Sequence, residues 1–399
     1  MKVGNWRWVY LSVAFWAWGN LSAYADPKEW TLLVYLDGNN SLDAEGPATL
    51  QQLETIGSTP DINLVVQWAS AATKSTKRLL LQKSTDPSKV TSPVLEEFGT
   101  TDMGDYHTLV DFVGWASVRF PAKHYFLVLW DHGSGWHDTS AVFPSHLDIG
   151  FDDLSGHAIS TLQTGVAMAQ IAQIIGHKLD LLANDACLMA MVEIANEVSD
   201  SVEVYAGSEE LEPDSGWPYD KILARWVARP NMSAADLARI IAEEYVGLYQ
   251  VDGKDSDDAT YSAFDLSHIG DLDKSVAALA GRFSKLSGAE IQGFQKAVSQ
   301  TQNFDEGDYL DLGDLGSQIA SQHLASIPDD LIDGIRQAVS SFVIESHGTS
   351  RYANATGVSI WIPQDRDSYD HFMPLYRQLK FEAQTSWGTA MAGLVHVAP

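Results

Sequence analysis

The sequence predicts an α/β fold: a mostly parallel sheet with helices on both faces, followed by a largely helical second part. Three observations carry this. Several short runs are apolar throughout, as in "WTLLVYLDG" (30–38), "INLVVQWA" (62–69) and "HYFLVLW" (124–130), which is the pattern of strands buried on both faces. Stretches with helical spacing alternate with them, as βα units require. At 45% hydrophobic and 20% charged, the 399-residue chain has the composition of a globular protein.

The elements follow in order. After the first strand, "EGPATLQQLETIG" (45–57) has helical spacing and a closing glycine. The strand 62–69 precedes "RLLLQK" (78–83), read as a third strand, at an edge. Residues 105–119 read as a helix and 124–130 as the next strand. A polar, Gly-rich loop spans 133–160, followed by a helix over 160–175 and a strand over 179–185. "LMAMVEIANEVS" (188–199) reads as a helix starting directly after Cys187, and 203–209 as a strand. Beyond 230 the pattern is mainly helical, with 234–250 as one helix and two more within 268–302. Strands recur at 260–266 and 356–363. There is no internal repeat and no long linker, so the second half is expected to pack onto the first.

The N-terminus has the layout of a secretory signal. Lys2 and Arg7 precede the apolar stretch 8–23, and Ala23-Tyr24-Ala25 presents small residues for cleavage after Ala25. Gly19 and Asn20 and the shortness of the stretch argue against a membrane anchor, so no stable membrane insertion is expected after cleavage. The division expected is 1–25 signal peptide, 26–230 an α/β core and 231–399 a C-terminal part packed on it and completing it. The product is then secreted or periplasmic. Loss of Lys2 and Arg7 takes the formal charge from −28 to −30, which disfavours nucleic acid and anionic lipid as partners. One cysteine, Cys187, excludes an intrachain disulfide. A single thiol in an oxidising compartment is either a small buried core residue or a used one.

Sites in open parallel sheets form at the carboxyl ends of strands. Two such ends carry chemistry: "LWDHGSGW" (129–136), with His132 just past its strand, and "NDACLM" (184–189), with Cys187 just past its own. A helix starting after Cys187 would favour the thiolate through its amides and dipole. A thiol and an imidazole together are the minimal set for acyl transfer.

These motifs resemble the clostripain-like cysteine peptidases, relatives of the caspases, gingipains and legumains. "EPDSGWPY" (212–219), "LLVYLDGNNSLD" (32–43), "IGFDD" (149–153), "YLDLGDLG" (309–316) and "YANATGVSIWIP" (352–363) extend the resemblance over nearly the whole mature chain. The resemblance implies a caspase-like three-layer sandwich and a cysteine endopeptidase with His132 and Cys187 as catalytic dyad. It also implies an oxyanion hole from the amides of Gly133 and Cys187, and cleavage after Arg or Lys. Asp185 matches the acidic residue of the specificity pocket, and a carboxylate there suits a guanidinium. The other reading of Asp185 is a cap on the helix beginning near 188. Asp214 is the second pocket candidate, with solvated surface as its alternative. Substrates are therefore expected to be proteins or peptides with basic residues, and the enzyme a monomer.

One departure concerns activation. Relatives are often cut between the His and Cys segments after a basic residue, but no Lys or Arg occurs from 124 to 177. Lys178 lies at the edge of the next strand, so the chain is active uncut, is cut elsewhere, or has a shifted specificity, and the uncut single chain is the favoured expectation. No cofactor is required by the dyad. Residues 252–258 and 305–314 carry enough carboxylates to be candidate Ca²⁺ ligands but lack EF-hand spacing, and solvated acidic loops are the favoured reading. No metal site is expected: His132 and His137 lack zinc-ligand spacing, and His137, His146 and His157 read as loop residues. No GxSxG elbow offers a serine nucleophile. Trp130, Trp136 and Trp217 could stack on sugars but read as core or pocket wall. The rival from another class is a non-catalytic cell-surface binding module on the same scaffold, which would have no need to keep both His132 and Cys187.

Overall fold

The computed structural model describes residues 27–137, 149–251 and 254–395. The expected signal segment, the middle of the Gly-rich loop with His146, and part of the 252–258 acidic run lie outside them. Along the first half of the chain the strands are β1 (Lys28–Gly38), β2 (Ile62–Ser70), β3 (Ser75–Leu80), β4 (Val94–Phe98), β5 (Ala122–Trp130), β6 (Ile149–Asp152), β7 (His157–Ile159), β8 (Leu179–Asp185) and β9 (Val202–Gly207). The second half adds β10 (Gln250–Val251), β11 (Lys254–Asp255), β12 (Thr260–Asp265), β13 (Tyr309–Asp311), β14 (Val343–Gly348) and β15 (Ser359–Trp361). Nine of these strands form one sheet in the order β14-β12-β9-β8-β5-β1-β2-β3-β4. The five central strands, β9 to β2, are parallel. An antiparallel pair flanks them on each side.

The central strands are apolar on both faces because both are covered. In β1, Leu33 and Tyr35 point to one hydrophobic core, while Trp30, Leu32, Val34 and Leu36 point to another. The first core is closed by α2 (Tyr106–Arg119), α3 (Thr161–Ile175), α4 (Val192–Val198) and the helices of the C-terminal part. The second is closed by α1 (Gly46–Glu54), α5 (Tyr219–Val227) and α6 (Ala234–Tyr249). Each fully buried Val, Leu, Ile or Phe contributes about 1.5–3 kcal/mol of transfer free energy, which makes this sandwich the main stabilising term. Helix ends follow local rules: Ser160 and Gln163 form a capping box at the start of α3, and Gly176 closes it with φ 87°.

Two sequence expectations need correction. The run at 78–83 does not form an edge: β3 is 75–80, and β4 pairs outside it. Val94 and Phe98 of β4 are exposed, and Glu96 and Glu97 lie between them on the strand, charges that discourage further edge pairing. The helix expected at 188 begins only at Val192, because Leu188 takes a left-handed conformation, φ 61°. The residues between are held by β15, where the Ser359 N–H donates to the Ala190 carbonyl at 2.9 Å. Glu193, at the start of α4, accepts from the Trp361 N–H at 3.0 Å and from the Tyr376 hydroxyl at 2.9 Å. Segments from beyond residue 340 thus fix the stretch that follows Cys187.

The order of the sheet reverses between β1 and β5. From β1 the chain steps to β2 on one side, then returns to build β5, β8 and β9 on the other. Such a switch point leaves a crevice at the carboxyl ends of the strands.

Candidate active site

The register of β5 on β8 pairs Trp130 with Asp185. Each chain runs two residues further, to His132 and Cys187, so the two side chains leave the sheet at equivalent positions on the same rim. The Asp131 N–H still reaches the Asp185 carbonyl at 3.3 Å, extending the pairing by one step. Beyond it the segments touch: a Cβ on Gly133 would stand 2.3 Å from the Cys187 carbonyl oxygen, closer than any side chain tolerates. A residue without a side chain is therefore required after His132. A cleft of 70 Å³ opens here, lined by Leu42, Trp130, His132, Asp185, Cys187 and Glu212, among others.

Cys187 is half-buried. Its Sγ accepts the Glu212 N–H at 3.2 Å. Burial pushes the thiol up to about 11, and the nearby Glu210 and Asp185 carboxylates push the same way against the Glu212 N–H. The expected thiolate is thus absent at rest. The helix meant to support it starts four residues too late, has seven residues, and has no side-chain cap at Met191.

His132 is half-buried too, and its ring Nε2 lies 2.8 Å from the Ser41 Oγ. Its main-chain N–H donates to Asp131 Oδ1 at 2.6 Å, and the Phe151 ring meets the imidazole edge-on, 6.4 Å between centres. Burial lowers the imidazole below its ordinary pKa, against the charges of Asp153 and Asp214. A lowered imidazole beside a raised thiol makes the resting pair neutral.

Asp185 lies beneath this pair, buried, and its Oδ2 accepts the Tyr219 hydroxyl at 2.8 Å. It caps no helix, which removes the alternative reading. Burial pushes its carboxyl up to about 6, against hydrogen bonds from Tyr219 and Glu212 and from the main chain of Trp217. Gly216, with φ 58°, approaches so closely that a Cβ would be 3.3 Å from Asp185 Oδ1. Glu212 supplies a second carboxyl, driven well above its usual range by burial and then by Asp185. Asp214 lines the cleft but is exposed at its lip. The sequence reading chose Asp214 over Glu212. The two alternate along one loop, and loops carry no periodicity to say which faces in.

The remaining candidates have other roles. His137 is buried and stacks on Phe372 at 3.8 Å between ring centres, inside an aromatic cluster with Trp136. His157 is exposed and pairs with Asp102. Trp130, Trp136 and Trp217 are buried and offer no open stacking face. Among the described residues no group of three or more His, Cys, Asp or Glu could hold a metal ion. In the acidic runs, Asp258 pairs with Arg351. Asp308 accepts from Gln364, Asp311 caps the helix Leu312–Ser321, and Asp314 accepts from Gln302.

The family profile described as the clostripain family matches residues 34–392. The chain belongs to this family and is a cysteine-type peptidase. It is similar to clostripain of Hathewaya histolytica, with 22% identity over 406 residues covering 86% of this chain and 76% of that one. Its fold is similar to that of a secreted C11 cysteine protease from Bacteroides thetaiotaomicron in complex with an irreversible peptide inhibitor. The TM-score is 0.69 at 20% identity, over 90% of this chain and 99% of the other. An inactive zymogen C11 protease from Parabacteroides distasonis aligns with a TM-score of 0.68, at 20% identity and the same coverage. The caspase-like sandwich expected from the sequence is the fold of the chain.

Proposed function

We propose that this chain is an exported endopeptidase that cuts after Arg or Lys through a dyad of Cys187 and His132. The observation that carries the reading is their equivalent placement, two residues beyond the paired Trp130 and Asp185, above a pocket floored by two carboxyls. A basic side chain entering the pocket meets Asp185 and Glu212 in a partly dry environment, where charge-assisted bonds are strongest.

The resting thiol is neutral, so attack and proton transfer are coupled. The Cys187 proton passes to His132 as the Sγ–C bond forms, and the carbonyl oxygen becomes an oxyanion facing the amides of Gly133 and Cys187. Each such donor is worth about 3 kcal/mol in the transition state. His132 then gives its proton to the departing nitrogen as the C–N bond breaks, leaving a thioester. In the second half, water attacks the thioester while His132 takes its proton, and Cys187 leaves as the thiol. The depressed basicity of His132 suits the first half, because a less basic imidazole makes a more acidic imidazolium.

Export rests on the N-terminal layout, and the related Bacteroides protease is described as secreted. Among the described residues no helix is long and apolar enough to cross a membrane. The chain acts uncut, since the 133–160 loop holds no Lys or Arg for a basic-specific enzyme to cut and Lys178 lies at the edge of β8, and it acts as a monomer without a required cofactor. The test is hydrolysis of fluorogenic peptides ending in Arg, Lys, Asn, Asp or Gly by the mature chain, alongside Cys187→Ala. Hydrolysis confined to acidic or small residues would remove the pocket assignment. Activity surviving Cys187→Ala would remove the nucleophile. Intact mass and light scattering of the same sample read the uncut monomer, and EDTA treatment reads metal dependence.

A further inference from the structure

We infer that the turn after β1 is a clamp for the catalytic histidine, and that Ser41 is its positioning residue, holding the His132 imidazole through Nε2. The inference rests on the dyad proposed above.

The turn has two arms. The first is Asn40, which is buried. Its Oδ1 accepts the Leu42 N–H at 2.8 Å and so caps the helical turn Ser41–Ala44. Its Nδ2 donates to Asp131 Oδ1 at 2.6 Å and to the Phe151 carbonyl at 2.8 Å. The same Asp131 oxygen accepts the main-chain N–H of His132 at 2.6 Å. One carboxyl oxygen therefore ties the turn to the histidine's backbone. Asn39 braces the turn from the other side, donating to Asp152 Oδ2 at 2.8 Å. Gly38 lets it fold tightly: a Cβ there would lie 2.7 Å from the Ala69 carbonyl oxygen.

The second arm is Ser41. With Asn40 fixed, its Oγ is delivered to within 2.8 Å of His132 Nε2. That contact occupies one ring nitrogen and leaves Nδ1 for the thiol and the leaving amine. Ser41 Oγ accepting an Nε2–H selects the tautomer whose lone pair is on Nδ1, the form that can receive the Cys187 proton. Once protonated, the ring keeps Nε2–H on Ser41 and presents Nδ1–H to the departing nitrogen. A carboxylate in this place would do the same but raise the ring's basicity. A hydroxyl orients it while leaving the imidazolium acidic enough to give its proton away. The other groups facing the ring are the Phe151 edge, the charges of Asp153 and Asp214, and Asp131 on the main chain.

The experiment compares Ser41→Ala and Ser41→Thr in the mature enzyme on a peptide ending in Arg, with Cys187→Ala and His132→Ala as references. Ser41 is exposed, so neither change should disturb folding. Loss of one net hydrogen bond from the transition state lowers kcat up to roughly tenfold, with KM within about twofold. Ser41→Thr should restore kcat. In Ser41→Ala the acid limb of the kcat profile should move to lower pH, since Nε2–H has lost its acceptor and the bound Arg keeps Asp185 ionised. The ¹⁵N signals of His132, identified by their disappearance in His132→Gln, should shift toward the other tautomer. An unchanged kcat and pH profile in Ser41→Ala, with His132→Ala inactive, would overturn the role of Ser41 and leave the dyad standing. A fall shared by Ala and Thr with a lowered Tm would overturn it as merely structural. Full activity in Cys187→Ala or His132→Ala would overturn both.

Discussion

Replacing Asp185 by Asn should make this enzyme more stable and less active at once. The carboxyl is buried, and its pKa is about 6 in the folded chain against an ordinary 3.8. An acid whose folded pKa is raised holds its proton more tightly in the native state, so ionising it costs native stability. That cost is absent below pH 3.8, grows between 3.8 and 6, and is fully present above. Two pKa units at 1.36 kcal/mol each make it about 3 kcal/mol at neutral pH. Asn removes the charge, and its amide oxygen can still accept from the Tyr219 hydroxyl. The variant should melt a few degrees higher at pH 7, with the difference vanishing toward pH 4. Its substrate, however, loses the charged partner of a desolvated pair, worth about 3–5 kcal/mol, or roughly two to four orders of magnitude in kcat/KM on peptides ending in Arg. Hydrolysis after uncharged residues should change little. In the wild type, kcat/KM on Arg peptides should fall roughly tenfold per pH unit below 6, because bound cation favours the ionised carboxyl and protonation competes with it. Calorimetry and initial rates on the same preparation decide the matter. A variant that is less stable at pH 7, or that cuts Arg peptides within threefold of wild type, refutes this reasoning.

Further outcomes follow from the same geometry. Alkylation of resting Cys187 by iodoacetamide should keep accelerating through pH 9 to 10, because burial holds the thiol near 11; a plateau beginning near pH 6 would mean an ion pair with His132 at rest. Gly133→Ala should lose nearly all turnover, since its Cβ would collide with the Cys187 carbonyl oxygen 2.3 Å away; steady-state rates with a circular dichroism control for folding check this.

The parallel core was legible because strands buried on both faces need uninterrupted apolar runs, and β1, β2, β5 and β8 have them. The residues leaving β5 and β8 stood out because a histidine and the single cysteine follow such runs directly. What lay beyond the reading depended on contacts distant in sequence. The stretch after Cys187 has helical spacing from 188 onward, yet β15, about 170 residues later, holds Ala190 in extended pairing and Leu188 turns left-handed. Glu212 and Ser41 sat in polar loops, where residue type alone does not say which side chain faces inward. The edge strand β4 was missed because "VLEEF" is short and carries two charges.

The most direct test of the dyad in its acidic pocket is labelling with an irreversible peptide ketone ending in Arg, followed by peptide mapping. The modified residue should be Cys187, with labelling lost in Cys187→Ala, slowed in Asp185→Asn and blocked by competing Arg peptide. Labelling at another residue, or equal labelling by a probe ending in Asp, would contradict the assignment.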